Sequence, residues 1–414
     1  MHSHSPSRLH AISPTLLLAC LLTHSPSSAQ SNGLAPEVTD LNASDISYQL
    51  EHKLPYLESP YISAAPANKH DGIHVGKLSE SALAYAPTLR FAESLAPQSP
   101  DEQEGNIDSL LLWHDGSLLL EAYYRRGRAN YPHYQMSITK SYTAMAIGRA
   151  IELGYLSMTD LDKPVLSFLD KIDRTNLTAG ADSITLHDAL HMCSGVRLDA
   201  DKVAAFHKIP ERLKGQKQIQ AYLESSAPIP SAPRKKKYQP ADPAMAIQVL
   251  EAVVPGTAED FIRNELFAPL GITNYHWQAD LSGLPKSAAG SSLRSRDMLK
   301  MGLLVLNSGK WDGQQLIPAA FIERATSPLV HSYGNSHYGY FWWVSDTQIN
   351  GQTYTVIQGR GAGGQFIFIF PELELVAVVT SHNKGMGKML KTLPEKIIPA
   401  LNKSDTNATG SNQL

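Results

Sequence analysis

Met136-Ser137-Ile138-Thr139-Lys140-Ser141 opens the stretch whose reading decides the fold, and Ala144, Ile147 and Ile151 extend it as an apolar stripe. That period predicts a helix over 137–153, stopped by Gly154. Residues i and i+3 share one helix face, so Ser137 and Lys140 can meet. Ser137 falls at the helix start, where unpaired N–H groups and the macrodipole favour an anion such as a serine alkoxide. The same field, with burial, would lower the lysine pKa and leave a neutral amine to take the serine proton. Ser-x-x-Lys alone is a weak signal, because an N-capping serine beside an exposed lysine has the same spacing.

Outward from this helix, the strongest marker is His114-Asp115-Gly116 between two apolar runs, 107–113 and 117–124, which predicts a β-hairpin. A helix is expected within 78–96. Residues 160–290 carry frequent Pro and Gly and short helical pieces, with Thr185 and Thr257 as N-caps. Ser295 is expected to cap a helix over 296–307. Strands follow at 338–344, 353–358, 366–370 and 375–380, then a helix over 388–401. Strands at both ends with helices between predict an α/β (α+β) fold, an antiparallel sheet flanked by helices with a helix-rich insertion. The expected division is a signal peptide at 1–29, an irregular arm at 30–77, a split sheet domain at 78–159 and 291–401, the insertion at 160–290, and a loose tail at 402–414.

The 414 residues are 43% apolar and 18% charged, against about 25% charged in a typical soluble chain. This supports a large core and excludes a mostly disordered chain or a coiled coil. The net charge of −3 gives no basic field to make nucleic acid a principal partner. Two cysteines exclude a disulfide scaffold. Arg8, an apolar run over 11–22 and Ser27-Ser28-Ala29 read as an export signal cleaved after Ala29, placing the protein in the periplasm or outside the cell. Leu17-Leu18-Ala19-Cys20 offers the rival reading of a lipid anchor at Cys20. No other stretch approaches the ~20 apolar residues that span a bilayer.

From Ser109 to Ser157 the chain resembles the serine β-lactamase-like family of class C β-lactamases, esterases and penicillin-binding proteins. Further similar segments are Leu190-His191-Met192-Cys193-Ser194-Gly195, Leu266-Phe267-Ala268-Pro269-Leu270-Gly271, Ala289-Gly290-Ser291 with Arg296-Asp297, Tyr338-Gly339-Tyr340-Phe341-Trp342-Trp343 and Gly361-Ala362-Gly363-Gly364-Gln365. The last is closest in pattern to the 6-aminohexanoate-dimer hydrolase branch. The resemblance spans about residues 70–400 and implies Ser137 as nucleophile and Lys140 as its base.

The family's Tyr-x-Asn motif is matched best by Tyr238-Gln239-Pro240, which makes Tyr238 a proton relay but places Pro240 where a polar residue is usual. Asp242 is a candidate to supply that polarity toward the substrate. Arg234-Lys235-Lys236-Lys237 is either a solvated run or a field that lowers the Tyr238 pKa or attracts an acidic substrate. The Lys-Thr-Gly strand of the family corresponds to Gln358-Gly359-Arg360-Gly361-Ala362, with Gly359 at the lysine position. Arg360, Gly361 and Gly363 are then candidate substrate contacts, although Arg360 can point to the opposite sheet face. The N–H groups of Ser137 and Ala362 would form the oxyanion hole. Cys193 is read as a small buried residue and His133 as packing or cleft-lining. Tyr340 and Trp342 are candidates for an acyl pocket. His187, His191, His276 and His382 show no ligand spacing, so neither a metal nor a cofactor is expected.

The expectation is an exported serine hydrolase that cleaves a small ester or amide, or a short peptide-like substrate, through a Ser137 acyl-enzyme. The alternatives are a non-catalytic cell-envelope binding protein derived from this fold, motivated by Pro240 and Gly359, and a β-lactamase or DD-peptidase.

Overall fold

The structure, a computed structural model, describes residues 33–96 and 104–401. The expected export segment, with Cys20, and the tail at 402–414 lie outside the described residues. In chain order the strands are β1 (Tyr61–Ser63), β2 (Ile107–His114), β3 (Ser117–Tyr123), β4 (His133–Tyr134), β5 (His276–Trp277), β6 (Ser291–Leu293), β7 (Lys310–Trp311), β8 (Gln314–Gln315), β9 (Val330–Tyr333), β10 (Ser336–Tyr338), β11 (Trp343–Ile349), β12 (Gln352–Gly361), β13 (Gln365–Phe370) and β14 (Leu375–Ser381). The α-helices are α1 (Tyr48–Glu51), α2 (Tyr85–Ser94), α3 (Ile138–Glu152), α4 (Leu186–Leu190), α5 (Ala200–Lys208), α6 (Lys217–Ser225), α7 (Ala241–Val253), α8 (Ala258–Phe261), α9 (Ser295–Leu306), α10 (Ala319–Ala325) and α11 (Gly387–Ile397).

Nine strands form one antiparallel sheet in the order β1-β3-β2-β14-β13-β12-β11-β10-β9. The N-terminal hairpin therefore joins the C-terminal strand β14 in mid-sheet. Asp115 and Gly116 close that hairpin with φ of 44° and 82°, the positive pair that a type I′ turn requires. Side chains alternate between two cores. Leu111, Ile367, Ile369, Val376 and Val378 meet α3 and α9 on one face. Leu110, Leu112, Phe366, Phe368 and Val379 meet α2 and α11 on the other. With both faces covered, β13 and β14 read as continuous apolar runs rather than an alternating pattern.

Several boundaries differ from expectation. The run at 338–344 is the reversal between β10 and β11, not one strand. A Cβ on Gly339 would lie 2.1 Å from the Ala325 carbonyl oxygen, and Phe341 takes φ 58°. The turn is thus imposed by packing on the end of α10. Helix α9 begins at Ser295 itself, with Arg294 before it and no side-chain cap. Thr185 does cap α4 through the Asp188 N–H. Thr257 caps α8, after which the backbone widens into a π-turn over Ile262–Phe267. The arm contributes α1 and the edge strand β1, paired with β3. Among the described residues, no helix is long and apolar enough to cross a membrane.

Candidate active site

The first turn of α3 is held from several sides. The Thr139 hydroxyl donates to the Met136 carbonyl at 2.7 Å, and its oxygen accepts the Ser291 N–H of β6 at 3.2 Å. Ser141 donates to the Phe341 carbonyl at 2.7 Å. Met136, directly before Ser137, is held at φ 50°, a strained conformation for a side-chain-bearing residue that persists where the surroundings over-determine it. Ser137 is the N-cap of α3, yet its hydroxyl caps no backbone N–H. The hydroxyl is left to Lys140, whose Nζ donates to Ser137 Oγ at 2.9 Å and to the Ala288 carbonyl at 2.5 Å.

Lys140 is 4% exposed. Burial alone pulls its pKa down to about 7, since a charged ammonium is disfavoured away from water. Its Nζ lies 4.7 Å from the Tyr238 ring centre. The Tyr238 hydroxyl meets the side chains of Ser137 and Tyr338. Burial raises the Tyr238 pKa, partly offset by those two contacts. The structure thus brings Ser137, Lys140 and Tyr238 together from α3 and from the segment leading into α7.

That segment is fixed by buried bonds. The Lys237 N–H donates to the Met192 carbonyl at 2.9 Å. Asp242 accepts from the Ser194 N–H at 3.1 Å and from Gln239 Nε2 at 2.7 Å. Asp242 is 0% exposed, and burial pushes its pKa up to about 7. Expected at the substrate, Asp242 instead lies beneath the Tyr238 turn and braces it.

Arg360 takes the opposite-face alternative rather than a place at the substrate. Its guanidinium bonds Gln358, Tyr333 at 2.9 Å and Ser336 at 3.5 Å. Strand alternation points it to the face opposite Gly359 and Gly361. A Cβ at Gly359 would meet Ile138 Cγ2 at 3.3 Å and Trp342 at 3.5 Å, so a side chain there enters the core beneath α3. A Cβ at Gly361 would lie 2.4 Å from the Gln135 carbonyl. Only a bare backbone lets the end of β12 sit against the chain entering Ser137. Ala362 follows, exposed, with Gly363 at φ 84° in the turn to β13.

The basic run divides. Arg234 is buried, 2.7 Å from Asp188. Lys236 lies over the rings of Tyr338, Trp343 and Tyr238, at 4.7, 4.8 and 5.4 Å, and donates to Ser332 at 2.9 Å. The Tyr238 pKa rises rather than falls, because burial outweighs any effect of the run. Tyr340 and Trp342 are fully buried, with the Tyr340 hydroxyl 2.7 Å from His187 Nδ1. Cys193 is buried, and burial pushes its thiol up to about 12, unsuited to a nucleophile. A cavity of about 240 Å³ borders the site, lined by Val203, Phe206, Leu213, Tyr222, Pro240 and Ala288 among others. Pro240 is one of its apolar walls. Sequence reasoning had no signal for this pocket, because it is assembled from segments far apart in the chain.

A family model described as Beta-lactamase matches residues 96–401. No curated protein sequence matches the chain. Among solved structures, the chain is similar to a penicillin-binding protein homologue from Caulobacter crescentus, with 14% identity, 78% of this chain and 99% of that chain covered, and a TM-score of 0.59. A Bacillus anthracis protein assigned as a 6-aminohexanoate-dimer hydrolase shares 18% identity, covering 72% of this chain and 79% of its own, with a TM-score of 0.58. A class C beta-lactamase mutant shares 16% identity over 73% of this chain and 100% of its own, with a TM-score of 0.57. At these identities the likeness is one of fold.

Proposed function

Since the chain belongs to the beta-lactamase family, we propose that it is an exported serine hydrolase that cleaves an ester or amide bond through an acyl-enzyme on Ser137. The observation that carries this reading is a buried Lys140 amine 2.9 Å from the Ser137 hydroxyl, where burial pulls its pKa down to about 7. A neutral Lys140 takes the Ser137 proton as Oγ attacks the carbonyl carbon. The N–H groups of Ser137 and Ala362 receive the oxyanion. Tyr238, in contact with Ser137, gives its hydroxyl proton to the leaving group and is reprotonated from the Lys140 ammonium, which returns both residues to their starting state. Water then attacks the acyl-enzyme by the reverse route. The Arg8-led apolar segment and Ser27-Ser28-Ala29 support export.

The cavity beside Pro240 and Ala288 is walled largely by apolar side chains, with Asp280 and Lys286 also in its lining, which supports an acyl or leaving group with an apolar body. Gly359 offers no cation, and Arg360 is committed to Gln358, Tyr333 and Ser336. Losing a charge-assisted bond to a carboxylate removes about 1.5–3 kcal/mol, one to two decades in affinity. p-Nitrophenyl butyrate should therefore be turned over far better than a chromogenic cephalosporin. One observation favours the β-lactamase or DD-peptidase alternative, the Lys236 ammonium beside Tyr238. Efficient cephalosporin turnover without esterase activity, abolished in Lys236→Gln, would establish that alternative. A fluorophosphonate should leave a single adduct on Ser137 by peptide mass spectrometry; an unlabelled Ser137 would refute the acyl-enzyme.

A further inference from the structure

Behind the strand that leads to Ser137 lies a second cluster, separate from the catalytic groups. Glu51 of α1, His133 of β4 and His382, just after β14, converge so that one ligating atom from each lies within 4.8 Å of the others. The side chains of Glu51, His133 and His382 are 4%, 8% and 7% exposed.

Hydrogen bonds fix which ring atoms face inward. Gln365 Oε1 already accepts the Ser381 N–H at 3.0 Å, so it is the amide oxygen, and His133 Nε2, 2.6 Å away, must carry the proton between them. His382 Nδ1 likewise donates to Asp108 Oδ2 at 2.5 Å, while Asp108 Oδ1 accepts the Arg126 N–H at 3.1 Å. The inward atoms are then His133 Nδ1, in contact with Glu51 Oε1, and His382 Nε2, 3.8 Å from the same oxygen. Glu51 is itself oriented, since its Oε2 accepts the Tyr134 N–H at 3.0 Å.

Two imidazole lone pairs and a carboxylate oxygen facing one point repel unless a cation sits between them, either a proton on His133 Nδ1, which already contacts Glu51 Oε1, or a metal ion. Each histidine has its outer N–H on a carboxylate or amide oxygen, the arrangement that sets tautomer and ring direction around a bound metal. Tetrahedral bonds of about 2.0–2.1 Å place ligand atoms roughly 3.4 Å apart, so the 3.8 Å separation of His382 Nε2 and Glu51 Oε1 needs a small contraction, while the direct contact of His133 Nδ1 with Glu51 Oε1 must open by about an ångström to admit the ion.

We propose that Glu51, His133 and His382 form a structural site for a divalent transition metal of the zinc type. Two nitrogens and one oxygen suit such an ion and not calcium or magnesium, which take oxygen ligands. The ligands would be His133 Nδ1, His382 Nε2 and Glu51 Oε1, with the fourth position left to solvent. The ion would staple three distant segments, the arm at α1, the approach to Ser137 at β4, and the end of β14. Through His133 it also steadies Gln365, whose Nε2 donates to the Ala362 carbonyl at 3.4 Å.

Zinc is the probe, and untagged full-length enzyme is dialysed against EDTA and then given ZnCl2. About one zinc per chain should survive gel filtration, measured by mass spectrometry of the metal, and Tm should rise by several degrees. Co2+ in its place should give visible d–d absorption. Glu51→Gln and His382→Ala, checked for folding by circular dichroism, should lose both the retained zinc and the Tm rise. Failure of wild type to retain zinc or gain Tm at micromolar free zinc would overturn the proposal and leave protons as the cations of the cluster. A zinc-dependent Tm rise that persists in both variants would overturn it equally. None of these readouts depends on hydrolysis, so they stand apart from the proposed acyl-enzyme.

Discussion

Replacing Lys140 with methionine keeps most of the buried volume and removes the amine that donates to Ser137 Oγ and the Ala288 carbonyl. With a pKa of about 7, the wild-type amine is neutral in about a tenth of molecules at pH 6 and about nine-tenths at pH 8. kcat/KM for an aryl ester should therefore rise about tenfold between those values, and about tenfold per unit below pH 6. Tyr238 does not supply this limb, because burial raises its pKa from an already alkaline value. Burial pushes the Asp242 carboxyl up to about 7 as well, so Asp242→Asn is the control, and the limb should survive in it. Lys140→Met should lose at least about a hundredfold in rate, a typical general-base contribution. Stability gives a second readout. The native lysine holds fewer protons than the unfolded one between about pH 7 and 10.5, so its contribution rises with pH across that window. The stability advantage of Lys140→Met over wild type should be greatest, and level, below about pH 7 and shrink toward pH 10, by up to a few kcal/mol. Flat kcat/KM between pH 6 and 8, or a limb that disappears in Asp242→Asn, would refute the assignment of Lys140 as the base.

Two further variants test the surroundings. Tyr238→Phe keeps the ring over Lys140 and its stacking on Trp343 at 5.9 Å, so kcat should fall by about a hundredfold or more with little change in KM; an unchanged kcat would remove the hydroxyl from the proton path. Gly361→Ala would set a Cβ 2.4 Å from the Gln135 carbonyl, against 3.3 Å to a movable Ile138 side chain for Gly359→Ala. The first should cost about 10²–10³ in kcat and the second far less, and equal losses would argue against the Ala362 N–H as an oxyanion donor.

The parts legible in the sequence are those set by neighbours along the chain. Ser137 and Lys140 meet because a helix places i and i+3 on one face, and Asp115-Gly116 turns because those two residues accept positive φ. Thr185 caps α4 through a residue three positions on. Tyr238 was found through the resemblance of its motif, and nothing local to it specified the contact with Ser137.

Tertiary structure decided the rest. The reversal at Gly339 is forced by the Ala325 carbonyl, and Gly361 is bare because Gln135 passes beside it. The motif resemblance puts Asp242 and Arg360 at the substrate, with the opposite sheet face as the alternative for Arg360; burial turns Asp242 to a bracing role, and Arg360 takes that alternative. Glu51, His133 and His382 show no ligand spacing because each comes from a different part of the chain. A helix or a tight turn is written in residues a few positions apart. A pocket or a ligand cluster is written in distances between segments, which exist only once the two cores have closed on the sheet.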